Sequence, residues 1–257
     1  MNCRIQSLLA AIALIFITAC ASDPNAPRSV SDKERVDALM DMAVAHVSEN
    51  DPVGALQILA QVRDLNDALP EEYYLYALAY LQKNEIRLAT ESARHAVRLK
   101  PKYSAAKNTL GKLLLDQGKF AESEKYLLEA ANDLLYREAY LAKTNLGILY
   151  FKRAEMPKSE MWLSRAIQDG GPLTCMASFY RGKIRLAEND LLSAERDFQQ
   201  SSRQSCSGLS EAHIAIGQTL VRERKYDQAR AKFLEIQRLF PSTAAYDKAA
   251  QYLREMP

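Results

Sequence analysis

The sequence predicts an all-α fold, a solenoid built from repeated pairs of helices. Glycine and proline number nine each among 257 residues, about 7% together against a typical sum of about 12%, so turns are scarce. Strong helix formers such as Ala, Leu, Glu and Lys dominate instead. Four glycines recur at spacings of 36, 35 and 35 residues, namely Gly111, Gly147, Gly182 and Gly217. A fixed period of this length indicates a repeat architecture.

Residues 1–19 are predicted to be a lipoprotein signal peptide. Arg4 supplies a positive charge, and residues 8–17 form an apolar run that is too short to span a bilayer. The run leads into residues 17–20, which resemble the bacterial lipobox, where small residues precede a cysteine. The resemblance implies that Cys20 becomes the new N-terminus and carries covalent lipid. The alternative is an ordinary signal peptide with a chance cysteine.

Residues 20–31 are predicted to be a flexible, lipid-anchored tether, because they are rich in Pro, Ser and Asn and lack helical periodicity. The residue after the cysteine is Ala21. An Asp at this position would be associated with retention in the inner membrane. The lipobox resemblance therefore implies the periplasmic face of the outer membrane. Two or more acyl chains make such an anchor stable.

Residues 32–257 are predicted to form the repeat domain. Their pattern resembles the tetratricopeptide repeat, a helix–turn–helix unit, and this implies a right-handed superhelical solenoid. We predict six repeats, at 36–69, 70–103, 104–139, 140–174, 175–209 and 210–243, and a C-terminal capping helix at 244–255. Each repeat has one small residue in its first helix, such as Gly111 or Gly147, and a second small residue twelve positions later. The two helices should cross closely where these small residues meet. The second small residues are Ala55, Ala89, Ser123, Ser159, Ala194 and Ala229.

The sequence contains no recognisable catalytic or metal-binding pattern. His46, His95 and His213 lie in different repeats without ligand-spaced companions, and there is no Gly-rich phosphate loop or CxxC motif. The net charge of +2 lacks the clustered basic excess of nucleic-acid binders. We therefore expect a protein that is not an enzyme and takes no metal. We expect no cofactor beyond the lipid on Cys20, and neither nucleic acid nor a small-molecule substrate as ligand.

The inward positions of the first helices are unusually apolar, and they predict a groove that binds an amphipathic segment of a protein partner. The predicted groove residues are Tyr74, Leu78, Leu81, Leu115, Ile148, Phe151 and Phe179. The alternative is that superhelical curvature buries several of these side chains between repeats.

Cys175 and Cys206 are 31 residues apart and are predicted to form a disulfide. In the repeat frame, Cys175 precedes the first helix of the fifth repeat and Cys206 follows the second. Because paired helices run antiparallel, both positions lie at the same end of the hairpin, compatible with a Cα separation of about 5.5 Å. An exported protein also meets an oxidising compartment. The alternative is two small thiols that never meet.

A lipobox followed by six repeats resembles the PilF/PilW family of type IV pilus biogenesis lipoproteins, the secretin pilotins. Residues 127–136, leading to 145–147, look like the junction between the third and fourth repeats of that family, and residues 238–242 with Tyr246 resemble its C-terminal end. The Cys175 and Cys206 pair is similar to one in a branch of the family.

The family resemblance implies an outer-membrane scaffold that binds the pilus secretin and promotes its localisation, assembly or stability. The alternative is an adaptor that recruits periplasmic cell-wall hydrolases or joins another envelope assembly. The same tether and the same groove would serve both functions.

Overall fold

A computed structural model describes residues 30–65, 68–170 and 174–257. Cys20, the signal peptide and the tether as far as residue 29 lie outside the described residues. The described chain folds into thirteen α helices and contains no β strand. The helices are α1 Val30–Ser48, α2 Pro52–Leu65, α3 Pro70–Gln82, α4 Ile86–Leu99, α5 Ser104–Asp116, α6 Phe120–Ala131, α7 Ala139–Lys152, α8 Met156–Gly170, α9 Cys175–Ala187, α10 Leu191–Gln200, α11 Ser210–Arg222, α12 Tyr226–Leu239 and α13 Ala244–Glu255. Among them, none combines the length and the apolarity that a membrane crossing requires.

Consecutive helices pair into six hairpins, from α1–α2 to α11–α12, and each hairpin packs on the next. α13 covers the last hairpin by packing against α11 and α12. The hairpins coincide with the six predicted repeats, and α13 occupies the residues of the predicted cap. α1 begins at Val30, so residues 30 and 31 belong to the first helix and not to the tether. The predicted all-α solenoid is confirmed.

The turn within each hairpin contains one residue in the left-handed backbone region. These residues are Asn50, Asn84, Gly118, Ala154, Asn189 and Arg224. In the second hairpin the amide of Glu85 donates to the carbonyl of Tyr80 at 2.8 Å, and the amide of Asn84 donates to that of Leu81 at 3.0 Å. This pair of bonds ends α3 in a Schellman motif, which satisfies carbonyls at the helix terminus. Asparagine at three of the six turns fits its tolerance for this backbone conformation.

The two small residues of each repeat mark a close crossing of its helices. A Cβ atom on Gly111 would lie 2.6 Å from Cδ2 of Leu127, so any larger residue there would force the buried Leu127 to shift. The hydroxyl of Ser123, twelve residues later, donates to the carbonyl of Gly111 at 2.6 Å. Ser159 makes the same bond to Gly147 at 2.7 Å. The repeated glycine is therefore a packing requirement, as the period predicts.

His213 is a buried histidine between α11 and α12. Lys232 Nζ lies 3.0 Å from its Nδ1, and the carbonyl of Ser207 lies 3.1 Å from its Nε2. Because an ammonium group only donates, Nδ1 accepts and Nε2 carries the proton that is donated to Ser207. Burial and the positive charge of Lys232 lower the pKa of His213. The ring is therefore neutral at neutral pH.

We expect the protein to lose stability as the pH falls from about 7.5 to about 5.5, partly through His213. Its pKa in the folded state lies below the unfolded value of about 6.5, so its contribution is present above that value and is lost on acidification. Thermal unfolding followed by circular dichroism checks this. The pKa of His95 is also lowered, so the wild-type protein is compared with the His213→Gln variant, which keeps His95. The variant should lose less stability than the wild type over this pH range. Equal losses in the two proteins would contradict the assignment.

Candidate functional site

The predicted groove residues lie on the first helices of their hairpins, as expected, but they differ in exposure. Tyr74, Leu78 and Leu81 lie on α3, Leu115 on α5, Ile148 and Phe151 on α7, and Phe179 on α9. Six of the seven side chains are half-buried. Leu115 is 2% exposed and belongs to a core cluster with Leu127 and Leu149. α7 packs against α5, so Leu115 cannot contact a partner, and its prediction as a groove residue is wrong.

In the N-terminal half, the predicted groove residues pack against local neighbours. The ring of Tyr74 lies 5.1 Å from that of Tyr103, between ring centroids. Burial raises the pKa of Tyr74. Leu78 packs against the core of the first two hairpins, and Leu81 against the core of the second and third. These side chains are partly covered and therefore offer little open surface to a partner.

Phe151 and Phe179 are brought together by a residue that sequence reasoning missed. Tyr180 packs edge-on between them, with centroid distances of 5.1 Å to Phe151 and 5.6 Å to Phe179. The ammonium group of Lys183 lies 4.8 Å from the ring centroid of Phe151 and 5.3 Å from that of Tyr180. The three rings thus form an aromatic cluster with a cation over it, a favourable arrangement for a lysine at a surface.

Beside this cluster lies a cavity of about 530 Å³ between α9, α11 and α13, which we call the C-terminal groove. Its apolar lining consists of Phe179, Leu186, Ala187, Phe198, Ile214, Ala215, Ala244 and Ala245. Its polar lining consists of Lys183, Ser210, Glu211, Gln218, Arg222 and Lys248. The groove therefore combines an apolar lining with three cations and one carboxylate. A volume in this range suits the insertion of a few side chains from a partner segment.

Covalent and hydrogen bonds hold the walls of the C-terminal groove. Cys175 and Cys206 form the predicted disulfide, with a Cα separation of 5.5 Å. The bond ties the first residue of α9 to a short 3₁₀ turn that ends four residues before α11. At the other end of the groove, Arg222 Nη1 donates to the carbonyl of Leu186 at 2.6 Å. The side-chain amide of Gln218 donates to the hydroxyl of Tyr252 on α13 at 2.5 Å.

A buried ion network fixes α9 against its neighbours. The carboxylate of Asp197, 3% exposed, accepts hydrogen bonds from Arg181 at 2.6 and 2.9 Å and from Arg185 at 3.0 Å. Arg185 also pairs with Glu160 on α8 at 3.3 Å. A charge this deeply buried is tolerated only when it is fully paired, as Asp197 is. The network sets the position of the helix that carries Phe179 and Lys183.

A family model for the tetratricopeptide repeat matches residues 74–134 and, again, residues 108–173. The matched residues span hairpins two to four. The fold is a tetratricopeptide-repeat solenoid. Its first helices line the inner face, and the C-terminal groove lies on this face, in the last two repeats and the cap.

The chain is also similar to pilus proteins along nearly all of its length. It is 19% identical over 253 residues to the type IV pilus assembly protein PilF of Pseudomonas aeruginosa, covering 95% of this chain and 97% of that protein. The solved structure of that PilF matches with a TM-score of 0.74 at 17% identity, over 86% of this chain and 99% of the other. PilW, a widely conserved type IV pilus biogenesis factor, matches with a TM-score of 0.73 at 18% identity, over 84% and 99%.

The predicted resemblance to the PilF and PilW proteins is thereby confirmed. At these identities, the structural likeness establishes a shared tetratricopeptide-repeat fold.

The sequence did contain one sign of the buried ion network in the fifth repeat. Arg185 occupies the position at which the second and fourth repeats have Tyr80 and Tyr150, so a charged residue there required a buried partner.

Proposed function

We propose that this protein is an outer-membrane lipoprotein scaffold for type IV pilus assembly, which binds the pilus secretin and promotes its localisation, assembly or stability. The observation that carries the proposal is the end-to-end similarity to a type IV pilus assembly protein, which covers 95% of one chain and 97% of the other. The similarity covers nearly the whole of both chains, so it extends beyond a few shared repeats. Binding of protein partners is the activity that a tetratricopeptide-repeat solenoid supports, in place of catalysis.

The C-terminal groove is the proposed docking site for the partner. Its apolar lining suits the apolar face of an amphipathic segment. Lys183, Arg222 and Lys248 outnumber the one carboxylate, Glu211, so the segment should also carry acidic residues. Complementary charge of this kind speeds association and selects the partner. Phe151 and Phe179 from the predicted groove contribute through the aromatic cluster at its border.

The charge reversal Lys183→Glu with Lys248→Glu should weaken binding of the purified periplasmic part of the secretin by about tenfold or more. Both lysines are exposed and neither forms an ion pair with a described residue. Losing the contact of Lys183 with the rings of Phe151 and Tyr180 costs about 1 kcal/mol or less at an exposed site, so the fold should remain intact. The matched control is Lys83→Glu with Lys152→Glu, which makes the same change in net charge away from the groove. Fluorescence anisotropy of a labelled secretin domain gives the affinities, and circular dichroism verifies the helix content.

The same variants test the function in cells. Deletion of the gene should remove secretin multimers and surface pili, and the control variant should restore both. The groove variant should restore neither at an equal protein level. Normal multimers and pili after a clean deletion would refute the proposal, and capture of a cell-wall hydrolase by the groove would favour an adaptor function.

A further inference from the structure

The loop at 132–138, between α6 and α7, presents two adjacent leucines to solvent. Leu134 is 99% exposed and Leu135 is 91% exposed, the highest values among the large hydrophobic side chains described. Single exposed apolar residues are common on protein surfaces, but a projecting apolar pair at a loop tip is a feature of contact sites.

The loop is held in place at its base, so its leucines are not exposed through lack of structure. The carboxylate of Asp133 accepts hydrogen bonds from the hydroxyl of Ser104 and from the amide of Leu135, the latter at 2.9 Å. The amide of Tyr136 donates to the carbonyl of Asp133 at 3.1 Å. The Tyr136 side chain is partly buried against the core, and burial raises its pKa. The loop therefore forms a fixed projection.

The loop lies on the same edge of the solenoid as the start of the first helix. In stacked antiparallel hairpins, the first helices begin and the second helices end at one edge of the solenoid. The loop lies on this edge, and the chain enters α1 on the same edge, at Val30. Nine residues, 21–29, separate Val30 from Cys20, so the contour length between the anchor residue and α1 is at most about 35 Å.

The loop carries the most exposed large apolar side chains on either edge of the described solenoid. At the opposite edge, the six three-residue turns within hairpins contain no large apolar residue, although Val53 and Leu192, next to two of those turns, are 51% and 57% exposed. The edge that carries the loop also presents Leu99 and Leu239, which are 42% and 47% exposed at the ends of α4 and α12. It carries the exposed cations Lys102 and Arg137, neither of which forms an ion pair with a described residue, alongside the exposed carboxylate of Glu138.

We infer that the tip formed by Leu134 and Leu135 inserts into the interface of the membrane to which the protein is anchored. This inference rests on the lipid anchor of the proposed function. The membrane is the occupant that the structure favours, because the apolar tip lies on the edge from which the anchor segment leaves. Insertion of apolar side chains beside cations is the chemistry of interfacial binding. With two points of attachment, the solenoid rotates less freely on its tether than with the lipid anchor alone.

The test uses the mature, lipidated protein in vesicles of phosphatidylethanolamine and phosphatidylglycerol. An environment-sensitive fluorophore is placed by Asn132→Cys, at the base of the loop, which keeps both leucines. The two remaining native cysteines are joined in the disulfide. We expect a blue shift and at least about twofold stronger quenching by spin-labelled lipids than for Lys152→Cys, at the opposite edge. Adding Leu134→Ser with Leu135→Ser should abolish the difference while circular dichroism stays unchanged.

Three results would overturn the inference. The first is water-like emission from the probe at 132 in vesicles. The second is a signal that survives the double serine substitution. The third is a signal that disappears when each lipid nanodisc holds one copy, which would make a second copy the occupant. Mass spectrometry for acyl chains on Cys20 tests the lipid anchor independently of the membrane contact by the loop. An acylated protein without the probe signal contradicts only the membrane contact.

Discussion

Gly147→Leu should destabilise the central repeats, lowering the free energy of unfolding by about 2–3 kcal/mol. A Cβ atom at this position would overlap the side chain of Leu163, which is 0% exposed and lies in a core cluster with Ala166 and Ile184. The hydrogen bond from Ser159 to the carbonyl of Gly147 fixes the distance between the two helices. A larger side chain must therefore separate α7 from α8, and each hairpin supports its neighbours in a solenoid.

Urea denaturation followed by circular dichroism measures this effect as a shift of the midpoint. Gly208→Leu is the matched control, because Gly208 has nothing within 4 Å of an added Cβ and no positive φ. The control should unfold close to the wild-type midpoint. An unchanged midpoint for Gly147→Leu would show that the helices do not cross as closely as the structure indicates.

Replacing both Cys175 and Cys206 by serine should lower the free energy of unfolding by about 3–4 kcal/mol. This is the chain-entropy value for closing a loop across a separation of 31 residues. The substitution should also weaken partner binding, because the disulfide ties the start of α9 to the turn that precedes α11, and these helices form two walls of the C-terminal groove.

Chemical denaturation of the wild-type protein with and without a reductant gives the comparison. The reduced wild type should unfold at the midpoint of the double-serine variant, and reductant should leave that variant unchanged. If reduction does not shift the wild-type midpoint, the disulfide contributes nothing to the fold. Two free thiols in denatured, unreduced protein would show that the cysteines are not paired.

The repeat architecture could be predicted because the information that specifies it is local. A small residue at a helix crossing recurs at each period, and the antiparallel course of a hairpin follows from its short turn. The same reasoning led to the pairing of Cys175 with Cys206, since both lie at one end of one hairpin. The capping helix was predictable because the end of a stack must be covered.

The candidate site was only partly predictable, because its geometry depends on how neighbouring hairpins are placed. The period identifies which residues lie on first helices, but it does not tell which neighbour covers them. Leu115 is covered by α7, whereas Phe179 borders the cavity between α9 and α11. The pairing of Asp197 with two arginines and the projection of Leu134 also depend on contacts between residues far apart within or between repeats.

The central claim is that the C-terminal groove holds a segment of the pilus secretin, and site-specific photocrosslinking in cells tests it most directly. A photoreactive amino acid at Ala187, an exposed residue of the groove, is compared with one at Lys152, outside it. We predict an adduct with the secretin from position 187, absent from position 152 and lost in the Lys183→Glu with Lys248→Glu background. Efficient capture of the secretin from position 152 but not from 187, in cells that still assemble pili, would contradict the account.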